Sequence, residues 1–387
     1  MPSLAAVMAQ RWILRKGSAR GGFRYVTTGG KPVCEGVRAR AEALRIPPAW
    51  TDVHVAVAPE AAVQAWGYDA KGRKQYRYHD RAAERGQLRK YYRVRQMARD
   101  LPAIRAAVAR DLRPPRPAPA ARGRTTAAGE PSALTRRRVA AGVVRLIGEA
   151  FFRVGSERYA AENRTFGLTT LRKRHVTVHG DRVVFDYVGK KSIRQRQTVC
   201  DPELVAFVGE LLATPGPRLF RYRTAEGSWA DLSARDVNEY LHDTLGVPYS
   251  AKDFRTWGGT LKLATFLADV GPARSPREAQ RHVVTALRCV AAELGNTPTI
   301  CRQAYVHPMV IARYLDEGTT IAPFLARAAG RKSRPGDGQL PEERALIGFL
   351  DRYFPERRRR RGERRRRGRE VVSDRRDARA LDAAEAA

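Results

Sequence analysis

Cysteine is scarce and scattered in this 387-residue chain: Cys34, Cys200, Cys289 and Cys301 form no CxxC pair and no Cys/His spacing of a zinc site. The expectation is therefore small incidental thiols in a reducing compartment, with no metal and no cofactor. Long apolar runs are absent too, and none approaches the roughly 20 residues of a membrane span. The opening MPSLAAVMAQRWILRKG lacks an apolar core followed by a small-residue cleavage site, so cytoplasmic residence is expected. Acid is in short supply, with 40 Asp plus Glu against 73 Lys plus Arg and a formal net charge of +33. Such a field repels itself unless a polyanion neutralises it, which makes nucleic acid the expected partner and an acidic membrane surface the second choice. The segment Glu356 to Glu370, with ten Arg and three Glu, supplies +7 and leaves +26 for the rest, so the basicity is distributed.

The organisation reads as α+β. Residues 20–111 form a small N-terminal β-sheet domain rich in Tyr and Trp. Within it VHVAV (Val53 to Val57) alternates as a strand, and Ala65 to Tyr68 with Gln75 to Tyr78 predicts a hairpin turning at Lys71 and Gly72. Helical spacing follows from Arg81 to Leu112. Residues 112–134, built on RPPRPAPAARGRTTAAGEPSA, carry five Pro and two Gly and no aromatic, the composition of a flexible linker. Residues 135–330 are mainly α-helical around a three-stranded antiparallel sheet: His175 to Val178, Arg182 to Val188 and Ile193 to Val199, with Lys190 at the second turn. Residues 331–387, low in apolar residues apart from Leu346 to Phe354 and ending in arginine runs, predict a basic disordered tail that grips nucleic acid.

One constellation suggests chemistry. Tyr305 lies in LGNTPTICRQAYVHP, nine residues after Asn296, and upstream stand Arg153, Lys190 and Arg255. A tyrosine can attack a phosphodiester without metal or nucleotide if fixed cations stabilise the charge on the pentacoordinate transition state. A tyrosine that attacks phosphate must give up its phenolic proton as the new bond forms. His307 falls off the face of a helix carrying Tyr305, so water, or transfer assisted by the arginines, stays open as the route.

Four separated segments, in order, resemble the type IB DNA topoisomerases in the short form shared by poxviruses and bacteria: FFRVGSERYAAENRTFGLTTLRKRHV, YVGKKS, AKDFRTWGGT and GNTP before the tyrosine. The resemblance spans roughly Arg24 to Leu315 and implies a fold of the tyrosine recombinase/topoisomerase IB kind. It assigns the scissile phosphate to Arg153 and Arg255, with Tyr159 and Lys252 as supporting DNA contacts, and makes Lys190 the proton donor to the leaving 5′-oxygen, although Lys191 is its neighbour. Asn296 occupies a place where the family has His or Asn; its amide can donate a hydrogen bond to a non-bridging oxygen but adds no charge. GRKQYRYH (Gly72 to His79) resembles the family's groove-reading strand, with Gln75, Tyr76 and Tyr78 toward bases and Arg73 and Lys74 toward phosphate. RIPPAW (Arg45 to Trp50) matches as well but reads as structural.

The implied activity is relaxation of supercoiled double-stranded DNA by a monomer at the nucleoid, through a 3′-phosphotyrosyl intermediate, without ATP or metal. Two alternatives differ from it. Tyrosine recombinases share the nucleophile but usually carry His where Lys252 stands, and a non-enzymatic basic DNA-binding protein would form no covalent adduct.

Overall fold

The computed structural model describes residues 11–114, 134–246, 249–329 and 338–355. These fall into two units, residues 1–93 and 94–387. The division lies inside one long helix, between Arg93 and Val94, and not at the linker expected from composition. Of that linker, residues 115–133 lie outside the described residues.

The first unit opens earlier than expected, with strands β1 (Trp12–Ser18) and β2 (Gly22–Thr27), followed by helix α1 (Glu35–Ala43) and strands β3 (Thr51–Ala56), β4 (Val63–Tyr68) and β5 (Lys74–Tyr78). They form one antiparallel sheet in the order β2-β1-β3-β4-β5. Period-two alternation sends Ile13, Tyr25, Val53, Val55 and Ala65 to the side where Ala41 of α1 and Ile46 complete a small core. The segment RIPPAW is structural: its carbonyls at Ile46, Pro47 and Trp50 accept hydrogen bonds from the buried Arg15 at 3.1, 3.1 and 2.7 Å. The opposite side of the sheet carries rings, with His54 stacked on Trp66 at 3.9 Å and Tyr76 against Tyr78 at 5.9 Å.

Helix α2 (Asp80–Leu112) begins in the first unit and continues into the second, where Met97, Leu101, Ile104 and Val108 join the main core. Next come α3 (Arg136–Ala150) and the short α4 (Glu157–Asn163), then the three-stranded antiparallel sheet β6 (Val176–His179), β7 (Arg182–Val188) and β8 (Arg194–Val199). Helix α5 (Pro202–Leu212), a small hairpin of β9 (Arg221–Arg223) and β10 (Trp229–Asp231), and α6 (Ala234–Leu245) follow. The remaining helices are α7 (Ala251–Val270), α8 (Pro276–Glu293), α9 (Pro298–Ala304), α10 (Pro308–Glu317), α11 (Ala322–Ala329) and α12 (Pro341–Tyr353). The second unit is thus mainly α-helical, as expected, with the predicted hairpin and third strand in place. No described helix is long and apolar enough to cross a membrane.

Helix α12 corrects the reading of residues 331–387 as one basic disordered tail. Leu346, Phe349 and Leu350 are buried in the main core, with Phe324 of α11 edge-on to Phe349 at 5.9 Å. Arg105 of α2 clamps Glu343 through two hydrogen bonds of 2.8 Å each, and the buried Arg95 donates to the Phe354 carbonyl at 2.7 Å. Leu346, Phe349, Leu350 and Tyr353 recur at helical spacing, enough to bury one face and offset the charge that follows. The arginine run itself, from residue 356 on, lies outside the described residues.

Candidate active site

Helix α3 ends at Phe151, whose backbone is left-handed (φ 52°), and the chain turns sharply to present Arg153. That turn is pinned from the GLTT segment: the Leu168 N–H donates to the Arg153 carbonyl at 2.8 Å, and the Thr169 N–H and hydroxyl both donate to the Val154 carbonyl, at 2.7 and 2.9 Å. The resemblance of this segment therefore has a physical basis, since its second half fixes the loop that its first half forms.

The next contributor is α7. Its N-terminus is closed by the buried Asp253, which accepts from both the Ser250 N–H and the Ser250 hydroxyl at 2.9 Å. Arg255 follows on the buried side, with 4 % of its surface exposed. Gly258 and Gly259 explain why the neighbouring segments approach so closely. A Cβ at position 258 would fall 2.0 Å from the Phe151 ring, and one at 259 would fall 2.9 Å from the Tyr305 carbonyl. Arg255 donates to the carbonyls of Phe151 and, at 2.8 Å, Leu294. One guanidinium thus ties together the end of α3 and the end of α8.

Past Leu294 the chain turns into Asn296, whose N–H donates to the Ala291 carbonyl at 2.8 Å. Arg153 reaches this turn and donates to the Gly295 carbonyl at 2.7 Å and to Asn296 Oδ1 at 2.6 Å. Thr297 caps α9, and Tyr305 stands at the other end of that helix, half-buried, with the Arg255 guanidinium 5.1 Å above its ring. Arg153, Arg255, Asn296 and Tyr305 are therefore brought together.

The electrostatics suit an anion. Burial pushes the Arg255 guanidinium down to about 10, and the nearby positive charge of Arg153 pushes the same way. Arg153 is lowered by burial as well, opposed by Tyr305 and Tyr187. A buried and a half-buried cation held together have lost hydration that a phosphate oxygen would replace. Two buried donors beside them, Arg255 Nε and Asn296 Nδ2, lack a hydrogen-bond partner among the described residues. A buried donor left unsatisfied is costly, and a phosphate oxygen placed between these two would satisfy them.

The other candidates fall elsewhere. Lys190 is exposed in the β7–β8 turn, where Lys191 and Ser192 both have left-handed backbones (φ 63° and 57°), and it is not joined to the other four by any described hydrogen bond. Lys252 projects from α7 into solvent, while Tyr159 is half-buried on α4, its carbonyl accepting from Thr165. His307 caps α10, its Nδ1 accepting from the Met309 N–H at 3.2 Å and its ring 4.6 Å from Phe354, which is the work of a structural histidine.

On the first unit's sheet, Arg73 is paired with Asp69 at 2.6 Å and Gln75 donates to the same carboxylate at 2.9 Å. Arg73 holds the Asp69 carboxyl well below its usual range. Lys74 lies 3.7 Å over the Trp66 ring, and Tyr76 is 40 % exposed beside Tyr78. The alternation of β5 thus places Lys74, Tyr76 and Tyr78 together on the open face, and Arg73 and Gln75 around Asp69. That separates the two expected groups differently, with Lys74 on the ring side.

Tyr187 was not singled out from sequence. Its phenol is buried, lies 3.3 Å from Gln197 Oε1, and is pushed up to about 12 by burial against the opposing pull of Arg153 and Arg255. Thr260 is a second such residue: its hydroxyl accepts from the His307 N–H at 3.0 Å and lies 3.4 Å from the Tyr305 carbonyl, so α7 holds the backbone on both sides of Val306. Tyr187 opens YVGKKS and Thr260 closes AKDFRTWGGT, so membership of a motif is the sequence signal for each. Among the described residues, no three or more His, Cys, Asp or Glu side chains cluster as a metal site would require.

Comparison with known proteins gives a consistent result. Residues 79–328 match the family described as the catalytic core of eukaryotic DNA topoisomerase I, and residues 22–69 match the N-terminal domain of bacterial DNA topoisomerase IB. The chain is 28% identical over 282 residues to DNA topoisomerase 1B of Acanthamoeba polyphaga mimivirus, covering 71% of this chain and 79% of that protein. It is 26% identical over 200 residues to DNA topoisomerase I of Monkeypox virus and to DNA topoisomerase 1B of Vaccinia virus (strain Copenhagen), in each case covering 49% of this chain and 60% of the relative.

Proposed function

The chain belongs to the type IB DNA topoisomerases of the short form, and on that premise we propose that it relaxes supercoiled double-stranded DNA through a covalent tyrosyl intermediate. The observation that carries the reading is the pairing of Arg153 with Asn296 at 2.6 Å while Arg255 stacks 5.1 Å above Tyr305, with two buried donors left over.

The Tyr305 oxygen attacks the scissile phosphorus; a P–O bond to tyrosine forms as the bond to the 5′-oxygen breaks. Arg153, Arg255 and the Asn296 amide stabilise the charge on the non-bridging oxygens of the transition state. Lys190 supplies the proton that makes the 5′-oxygen a competent leaving group, and the phenolic proton of Tyr305 passes to water. The strand with the free 5′-hydroxyl then rotates, driven by torsion in the DNA, and the hydroxyl reverses the reaction. One phosphodiester is exchanged for another, so the cycle conserves bond energy and requires neither ATP nor metal. The protein acts as a monomer on DNA in the cytoplasm, at the nucleoid.

The test is time-resolved relaxation of positively and negatively supercoiled plasmid in EDTA without ATP. Both signs of supercoil should be removed; dependence on ATP or on added divalent metal would overturn the mechanism, and binding without relaxation would leave a basic DNA-binding protein.

A further inference from the structure

The turn carrying Lys190 and the turn carrying Asn296 come from distant parts of the chain, and one side chain lies between them. Gln195, the second residue of β8, is buried with 7 % of its surface exposed and pairs across the sheet with Tyr187. The inward positions on β7 are Val183, Phe185 and Tyr187, and on β8 they are Gln195, Gln197 and Val199, so Gln195 is a buried amide set against an aromatic row.

Its surroundings explain the choice. Gln195 Nε2 donates weakly to the Ile193 and Arg194 carbonyls, at 3.4 and 3.3 Å, inside a turn that the Gly189 N–H closes onto the Ile193 carbonyl at 2.8 Å. The same turn holds Lys191 and Ser192 in left-handed conformations, which persist in non-glycine residues only when the surroundings enforce them. On one side the Gln195 stem presses on Gly189, where a Cβ would fall 2.8 Å from Cγ. On the other its amide presses on Gly295, where a Cβ would fall 2.1 Å from Oε1 and 2.6 Å from Nε2. Gly189 immediately precedes Lys190, while Gly295 immediately precedes Asn296 and accepts from Arg153 at 2.7 Å.

We propose that Gln195 is a positioning residue, a wedge between two bare glycines that sets the reach of Lys190 relative to the Arg153–Asn296 pair. The inference rests on the reading of Lys190 as proton donor to the leaving 5′-oxygen. A donor must come within hydrogen-bond reach of the departing atom, and a displacement of about 1 Å can cost ~10²-fold.

The experiment is single-turnover formation of the covalent complex by the full chain on a duplex with one mapped cleavage site. The site carries either the ordinary linkage or a 5′-bridging sulfur, which leaves without a proton. Gln195→Ala should slow cleavage of the ordinary linkage by on the order of 10²-fold and approach the wild-type rate on the sulfur substrate. Gln195→Met, which keeps the length of the side chain, should retain most of the rate and carries the test if the alanine variant does not fold. A Gln195→Ala protein equally slow on both substrates would place the residue on the Arg153–Asn296 side, and one with wild-type rates would make it filler; either result overturns the proposal. Lys190→Ala serves as the reference. If it too is not rescued by sulfur, the proton-donor reading falls and the wedge with it; if it is rescued while Gln195→Ala is not, only the wedge falls.

Discussion

The arginines of the second unit and the cations of the first unit's sheet bear the same charge and do opposite things with it. Arg255 is buried and Arg153 half-buried among carbonyls, with no carboxylate paired to either among the described residues; both are lowered by lost hydration and held near one tyrosine. Arg73 is neutralised by Asp69, and Lys74 sits on an aromatic face at the surface. A cation with its hydration removed and its geometry fixed is poised for one oxygen at one moment of a reaction. A cation paired at the surface can exchange its partner for any phosphate, and contributes grip. On the proposed function, chemistry and affinity fall to different residues.

The sharpest way to break this comparison is Tyr305→Phe, which should abolish relaxation and leave DNA binding nearly unchanged; relaxation by that variant would remove the nucleophile from the account. Arg153→Ala and Arg255→Ala come next, each expected to slow single-turnover cleavage by on the order of 10²–10³-fold, the scale of a lost transition-state donor. Wild-type rates in either would show that burial had been mistaken for function.

Shortening the chain separates α12 from the arginine run. Ending it at residue 330 removes Phe349, Leu350 and the Glu343 clamp on Arg105, and should lower the melting temperature sharply and with it the activity. Ending it after Pro355 should leave relaxation at moderate salt intact and weaken binding only as salt rises. Equal behaviour of the two truncations would mean that α12 contributes nothing to the fold. The smallest effect belongs to the sheet: Lys74→Ala should weaken DNA binding about equally across sequences and reduce the salt dependence by about one phosphate contact, with little change in the cleavage rate once bound.

Elements and motifs were legible in the chain because their causes are local. The β6–β7 hairpin follows from alternation around His179, Gly180 and Asp181, and Tyr305 and Arg255 follow from motifs whose spacing the structure makes meaningful. Contacts over long sequence separation were not legible. Helix α12 was hidden by the arginines after it, although Leu346, Phe349, Leu350 and Tyr353 already had helical spacing. Composition places the unit boundary at a proline-rich segment, whereas the core decides it: Met97 and Leu101 on α2 pack with the second unit because that is where their apolar face finds partners. Tyr187 and Gln195 are ordinary strand residues by composition, and only folding shows that one shares the field of both arginines and the other separates two turns.

The most direct test of the central claim is to trap the reaction with supercoiled plasmid by detergent, digest protein and DNA, and identify the linked residue and DNA end by mass spectrometry. The account predicts one peptide, with Tyr305 joined to a 3′-phosphate and the adduct absent from Tyr305→Phe. Attachment at a 5′ end, attachment through another residue, or relaxation with no adduct under any quench would contradict it.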